Sequence, residues 1–259
     1  MRYVRYESES DAGYGILDGN FIRPISKSPW CLYDSNQSEV KTKISLDNAR
    51  LLAPCLPSKI IGVALNYPGV TGVTDNKNEP LIFLKPSTSI IGTKEEIVNP
   101  FNGIDVWGEC ELAIVIGKYL KDATKEEALD SIFGYTVAND VSASNVNSRD
   151  HHLARSKAVD TFCVIGPWID TNFKPDQQRI QGYHNGDLLR DGRLSDRLWK
   201  EQDLLMWLST WITLEPGDII LTGAPSRVGG RKYLQNGDIF KCEIQGLGEL
   251  INPFREKYE

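Results

Sequence analysis

Glu109 and Glu111 open the most apolar strand pattern in the chain, Asp105-Val106-Trp107-Gly108-Glu109-Cys110-Glu111 followed by Leu112-Ala113-Ile114-Val115-Ile116. Side chains alternate along a strand, so the two glutamates share one face and Cys110 takes the other. Two anions side by side next to a buried strand repel unless a cation or several donors lie between them. Asp140 ends a second apolar run, Tyr135-Thr136-Val137-Ala138-Asn139-Asp140. Three carboxylates converging from strand ends would make an oxygen-only site for Mg2+, Mn2+ or Ca2+. The lack of His or Cys among them speaks against zinc. The spacing alone leaves a second reading open, in which these are exposed strand-end acids paired with Lys or Arg. The 3 histidines begin only at His151, so residues 1–150 do their chemistry without imidazole.

The elements that must position these groups are mostly strands. Tyr14–Leu17 and Phe21–Arg23 flank Asp18-Gly19, a hairpin signal. Pro54 and Pro57 mark a connector, and we divide the chain there into a small β unit, 1–55, and a larger body, 56–259. In the body, Lys59–Ala64 and Leu81–Lys85 read as strands on either side of a long loop, Pro68–Glu79, of the length often used for lids. Glu111–Ile116 and Tyr135–Ala138 are near-continuous apolar runs, hence strands buried on both faces. Thr124 and Glu127 form a capping box before a short helix over Glu126–Ser131. Asn145–Arg155 reads as loop or short helix, and a helix is expected near Leu204–Thr210. Pro216-Gly217-Asp218 and Asn236-Gly237-Asp238 each feed a strand, a spacing that indicates a β-rich roll or barrel. Neither GxGxxG nor GxxxxGK[ST] occurs, which disfavours a nucleotide-binding α/β fold.

Composition narrows the class. With 259 residues, 41% hydrophobic and 25% charged, the chain reads as an ordinary soluble globular protein. A net charge of −6 argues against a nucleic-acid partner. No apolar run approaches the ~20 residues of a membrane helix, and the first residues lack a signal-peptide core. A cytoplasmic enzyme or binding protein is the expectation. The 5 cysteines, Cys31, Cys55, Cys110, Cys163 and Cys242, are far apart and never form CxxC, so buried single thiols are expected. The tryptophans, such as Trp107 and Trp168, read as core, and His184 as a solvated turn residue.

GECELAIVIG, GYTVANDVSA, SKAVDTF-x-x-IGPWI, HNG, LEPGDIILTGAP and GLGELIN follow one another in order. Together they resemble the fumarylacetoacetate hydrolase family, from about Gly62 to Asn252. The resemblance implies an α+β, β-rich fold, a mixed β-roll body behind a small N-terminal β domain. It also implies a homodimer with one divalent metal per active site, Mg2+ or else Mn2+ or Ca2+. The family's metal carboxylates fall on Glu109, Glu111 and Asp140, its active-site lysine on Lys157 and a nearby acid on Asp160. Its substrates are small oxo or enol acids, which it hydrolyses, decarboxylates, isomerises or tautomerises. Chelation by one cation stabilises the enolate these reactions share, and Lys157 could stabilise that enolate or transfer a proton. A structural salt bridge from Lys157 to Asp160 is the plainer alternative. Lys85 lies where the family places a strand-end lysine, and a surface strand end is the competing reading. Tyr67, Asn139 and Arg149 stand beside motif positions as candidate substrate-binding groups, with Arg149 and Arg227 as candidate clamps for a carboxylate.

The chain departs from the family at its lid. Hydrolytic members carry N-Y-x-x-H-x-x-E, whose His and Glu activate water. Here the segment begins Asn66-Tyr67-Pro68-Gly69, and the two positions are Val70 and Val73. Ser144, Asn145 and Asn147 replace the usual Arg-Asp and Gln, Ala224 replaces a Thr, and Arg190 stands at a usual Gln. The expectation is a pocket rim poorer in charge and hydrogen bonds, suited to a bulkier apolar substrate and a dry reaction. Three readings follow. The first is a metal-dependent, non-hydrolytic lyase or isomerase working through an enolate. The second is a C–C bond hydrolase or hydratase whose base is His151 or His152. The third is an inactive binding protein, against which the retained acids and Lys157 count.

Overall fold

The computed structural model describes the chain apart from residues 10, 32–42, 71–78, 146–148 and 259 and the side chain of Cys31. Val73, Asn147 and most of the expected lid loop therefore lie outside the described residues.

The strand Cys110–Ile116 is buried at every position, as its unbroken apolar run requires. It pairs antiparallel with Ile132–Asp140 on one side and Ile219–Leu221 on the other. Ile60–Ala64 joins parallel to Ile219–Leu221, and Leu81–Lys85 closes that flank. Beyond Ile132–Asp140 lies Cys163–Asp170. Arg2–Ser8 pairs with its far end through Arg2↔Asp170 and Tyr3↔Ile169. The hairpin Ala12–Asp18 and Phe21–Ile25, with Gly19 in the left-handed region, is thereby carried into the same twelve-stranded sheet.

A five-stranded sheet packs over the body, in the order Asp187–Arg193, Arg179–His184, Ile239–Ile244, Gly248–Glu256, Ile97–Asn99. Between the sheets lies the main apolar core, with Leu112, Ile114, Val137, Phe240 and Phe254 fully buried or nearly so. Parallel and antiparallel pairs coexist in both sheets, giving the expected mixed, β-rich fold. Helices are few. Lys125–Asp130 carries the expected Thr124–Glu127 capping box, and Glu201–Ser209 begins three residues earlier than read from sequence. The polar stretch after Asn145 does end in one helical turn, Ala154–Lys157. Among the described residues no helix is long and apolar enough to cross a membrane.

One glycine decides how tightly the site flank packs. A Cβ on Gly62 would lie 2.1 Å from Cζ of Phe83, its cross-strand partner. Only a bare Cα lets that ring, 5% exposed, lie over the strand, and the Lys157 ammonium sits 4.7 Å from the ring centroid. Gly62→Ala is expected to cost about 1–3 kcal/mol by overpacking and to lower the melting temperature by about 2–12 °C. An unchanged melting curve would show that the ring can move aside.

Candidate metal and active site

Antiparallel pairing builds the centre. Cys110 faces Asn139 and Glu111 faces Ala138, so the start of one strand lies beside the end of the other. The Asp140 N–H donates to the Glu109 carbonyl at 2.9 Å. Alternation then puts Glu109 and Glu111 on one face. Cys110 turns away toward the Glu243 carbonyl, 3.9 Å off, and toward the Cys242 thiol. One oxygen from each of Glu109, Glu111 and Asp140 lies within 4.8 Å of the others. The reading of these acids as exposed strand-end groups is overturned for two of them: Glu111 is 2% exposed and Asp140 0%.

Three cations surround the carboxylates. Lys157, at the end of its one-turn helix, donates to Glu109 at 2.9 Å and to Asp140. Lys85, at the end of Leu81–Lys85, donates to the other Asp140 oxygen and to the Val141 carbonyl. Its side chain is 0% exposed, so the surface reading of Lys85 fails. Arg190 donates to Glu109 at 2.6 Å, to the Pro225 carbonyl at 2.7 Å and to the Gly108 carbonyl at 3.4 Å. It corrects the expectation of a rim drained of charge: the Arg at a usual Gln position is a buried cation on a metal-type carboxylate.

The acids differ in their partners. Burial would raise the Glu109 carboxyl, but Lys157 and Arg190 beside it hold it well below the usual carboxylate range. Glu111 accepts only the Gly223 N–H, at 2.7 Å, and has no ion pair among the described residues. Burial first, then Asp140 and Glu109, push it well above the usual range. Burial opposes the charge on Lys157, yet Asp140, Glu109 and Glu111 together raise its pKa. A buried carboxyl that two like charges crowd, with one backbone donor, is a group that a divalent cation would satisfy. The all-oxygen donor set fits Mg2+, Mn2+ or Ca2+. Glu109, Glu111 and Asp140 would hold the ion.

Other expected residues are distributed differently. Asn139 is buried, and its Oδ1 accepts the Glu109 N–H at 2.9 Å, so it fixes the strand bearing the acids. Tyr67 is 2% exposed, and its hydroxyl is buried without a hydrogen-bond partner. Burial raises its pKa, with Arg197 and Glu111 among the charges it feels. Val70 packs partly buried against the main core. Asp160 is exposed on the turn after Lys157. Lys157 pairs with Glu109 and Asp140, so the expected Lys157–Asp160 bridge is not formed. Arg149, His151 and His152 are exposed beside the helical turn, and none hydrogen-bonds the acids. Asp150 between them is buried and accepts the N–H groups of Arg155 and Ser156, which anchors the turn carrying Lys157. His184 is buried against Asp238 at 2.6 Å and ties two turns together, unlike the solvated residue expected. Cys55, Cys110, Cys163 and Cys242 are free and buried, as expected. A cleft of 1680 Å3 between Ser45–Leu51 and the turn Ile244–Gly248 includes none of the clustered residues.

This geometry can hold one hard cation, keep three nitrogen cations beside it, and offer Lys157 as an ionisable nitrogen at its rim. Residues 59–255 match the model for the fumarylacetoacetate (FAA) hydrolase C-terminal domain, and residues 1–54 match the Rv2993c-like N-terminal model. The chain is 38% identical over 234 residues to a Xenopus laevis protein named oxaloacetate tautomerase fahd2, mitochondrial, covering 85% of this chain and 72% of that one. A crystal structure of 2-hydroxyhepta-2,4-diene-1,7-dioate isomerase from Mycobacterium marinum superposes with a TM-score of 0.89, at 35% identity, over 100% of both chains. Maleylpyruvate hydrolase from Sphingobium sp. SYK-6, solved with manganese(II) and pyruvate, superposes with a TM-score of 0.78, at 26% identity, over 99% of each. The chain belongs to the fumarylacetoacetate hydrolase family.

Proposed function

We propose that this protein is a metal-dependent tautomerase or isomerase of a small 2-oxo acid, with Mg2+ or Mn2+ at Glu109, Glu111 and Asp140. The observation that carries this reading is Lys157 Nζ bonded to two of three clustered carboxylates with no imidazole bonded to any of them. A bound divalent cation would supply Lewis-acid stabilisation of the enolate of a chelated 2-oxo acid. The chain's own residues do the rest. Lys157 Nζ, held by Glu109 and Asp140 above the Phe83 ring, is the group that would give or take the proton at the carbon next to the 2-oxo group. Lys85 pairs with Asp140, and Arg190 pairs with Glu109, so both buried carboxylates have a cationic partner. Val70 occupies the position where the hydrolytic pattern has His, and valine cannot activate water. The names carried by the Xenopus relative and the Mycobacterium marinum structure support the same class of reaction.

The metal-loaded protein is expected to accelerate ketonisation of enol-oxaloacetate and to exchange deuterium from D2O into the carbon next to the 2-oxo group. In H218O an acylpyruvate should gain no label in a new carboxylate. Cleavage of the acylpyruvate with 18O in the product acid would replace this reading with the hydrolytic one.

A further inference from the structure

The segment after the strand Ile219–Leu221 runs beside the carboxylate cluster. Gly223 reaches Glu111, the Pro225 carbonyl accepts from Arg190, and the Ser226 hydroxyl donates to the Pro68 carbonyl at 3.0 Å. Arg227 then forms an isolated antiparallel bridge with Arg190, and the Val228 N–H donates to the Leu189 carbonyl at 2.8 Å. The Arg227 backbone is thus fastened to the strand that delivers Arg190 to Glu109.

The charges around it do not balance. Lys85, Lys157 and Arg190 are each committed to Asp140 or Glu109. Arg227 is half-buried, and its side chain has no ion pair or hydrogen bond among the described residues. Burial, then Arg190 and Arg231, depress its pKa, and Glu109 opposes them. Glu109 is also the most open of the three acids, 19% exposed against 0% for Asp140. A half-buried guanidinium next to like charges is therefore short of one anion. Its planar fork fits a carboxylate in two parallel hydrogen bonds.

We propose that Arg227 is a specificity residue that receives the second carboxylate of the substrate, which makes the preferred substrate a 2-oxo dicarboxylic acid. This rests on the tautomerase reading above, since one end of the substrate must lie at the acids for the other to reach Arg227. The oxo-acid end is held at Glu109, Glu111 and Asp140, and the distal carboxylate lies toward Arg227.

The test compares full-length, metal-loaded wild type with Arg227→Met and Arg227→Lys. Ketonisation is followed for enol-oxaloacetate, which has the second carboxylate, and enol-phenylpyruvate, which lacks it. In Arg227→Met the ratio of kcat/KM for oxaloacetate to that for phenylpyruvate is expected to fall about 10- to 100-fold, the worth of a hydrogen bond to a charged group. The fall should sit in KM, and Arg227→Lys should regain part of it. Binding of non-reacting acids gives a second readout: the preference for N-oxalylglycine over oxamate, by calorimetry, should fall by a similar factor. Ratios within about 2-fold of wild type in both assays, in a variant that melts like wild type, would overturn the role of Arg227. A wild type that accelerates neither enol and binds neither analogue would instead sink the tautomerase reading, and this inference with it.

Discussion

Asp140→Asn will lower the melting temperature of the chelator-treated protein by about 6–20 °C, corresponding to a loss of about 3–5 kcal/mol. The carboxylate is 0% exposed and takes one ammonium on each oxygen, Lys85 on one and Lys157 on the other. Lys157 keeps Glu109 when the charge is lost, but Lys85 is left with only the Val141 carbonyl. A buried ammonium without an anion is the costly state, more than the pair itself is worth. The double variant Asp140→Asn/Lys85→Met removes the stranded charge, so it should recover most of the stability while binding no metal and showing no activity. A single variant that melts within about 2 °C of wild type would show that the two lysines are not held by Asp140.

Glu111→Gln should do the opposite to the metal-free protein. Glu111 has one backbone donor, and its acidity is suppressed by burial, then by Asp140 and Glu109. Its folded pKa lies above the unfolded value, so the folded state binds the proton more tightly. The stability this gives is fully present below the unfolded pKa, near the ordinary Glu value, and is lost as pH rises through the folded one. Gln has no such dependence and keeps an oxygen for Gly223. The stability difference between variant and wild type should therefore grow in the variant's favour from pH 5 to pH 8 in the absence of metal. Metal binding should be weakened about 100-fold or more, because a ligand's charge is gone. In the wild type, metal uptake should release a proton and tighten as pH rises, which calorimetry in buffers of different ionisation enthalpy will measure. A wild type whose metal affinity is flat across that pH range would show that Glu111 is already ionised.

The carboxylates were legible in the sequence because strand alternation is local and needs no partner. Spacing and the flanking apolar strands made Glu109, Glu111 and Asp140 candidates, and the resemblance to the family singled them out over the exposed, paired reading. The same rule, applied fully, sets Asn139 apart from Asp140, and Asn139 does hold the Glu109 backbone. Lys85 could not be assigned from sequence, since a lysine at a strand end faces water or the site according to which neighbours the strand acquires. Pairing of Leu81–Lys85 with Ile60–Ala64 decides it. Arg190 was misread for the same reason. Its importance comes from the five-stranded sheet crossing over Gly108 and Pro225, a contact between segments more than 30 residues apart. The hairpin Arg179–Arg193 that carries it is short of apolar alternation and contains Gly182, Gly186 and Gly192, so it had little strand signal of its own.

Every group at the centre arrives from a different part of the chain: position 85, positions 109 and 111, then 140, 157, 190 and 223. Bringing such distant segments together closes several long loops, and the entropy of that closure is recovered only when both sheets have formed. The three carboxylates that would hold an ion are expected to come together late in folding, since long-range strand pairing must precede them. An ion that recognises only the finished arrangement leaves the rate of folding alone and acts on the rate of escape. A divalent ion held at Glu109, Glu111 and Asp140 would therefore lengthen the lifetime of the native state as well as serve the proposed reaction.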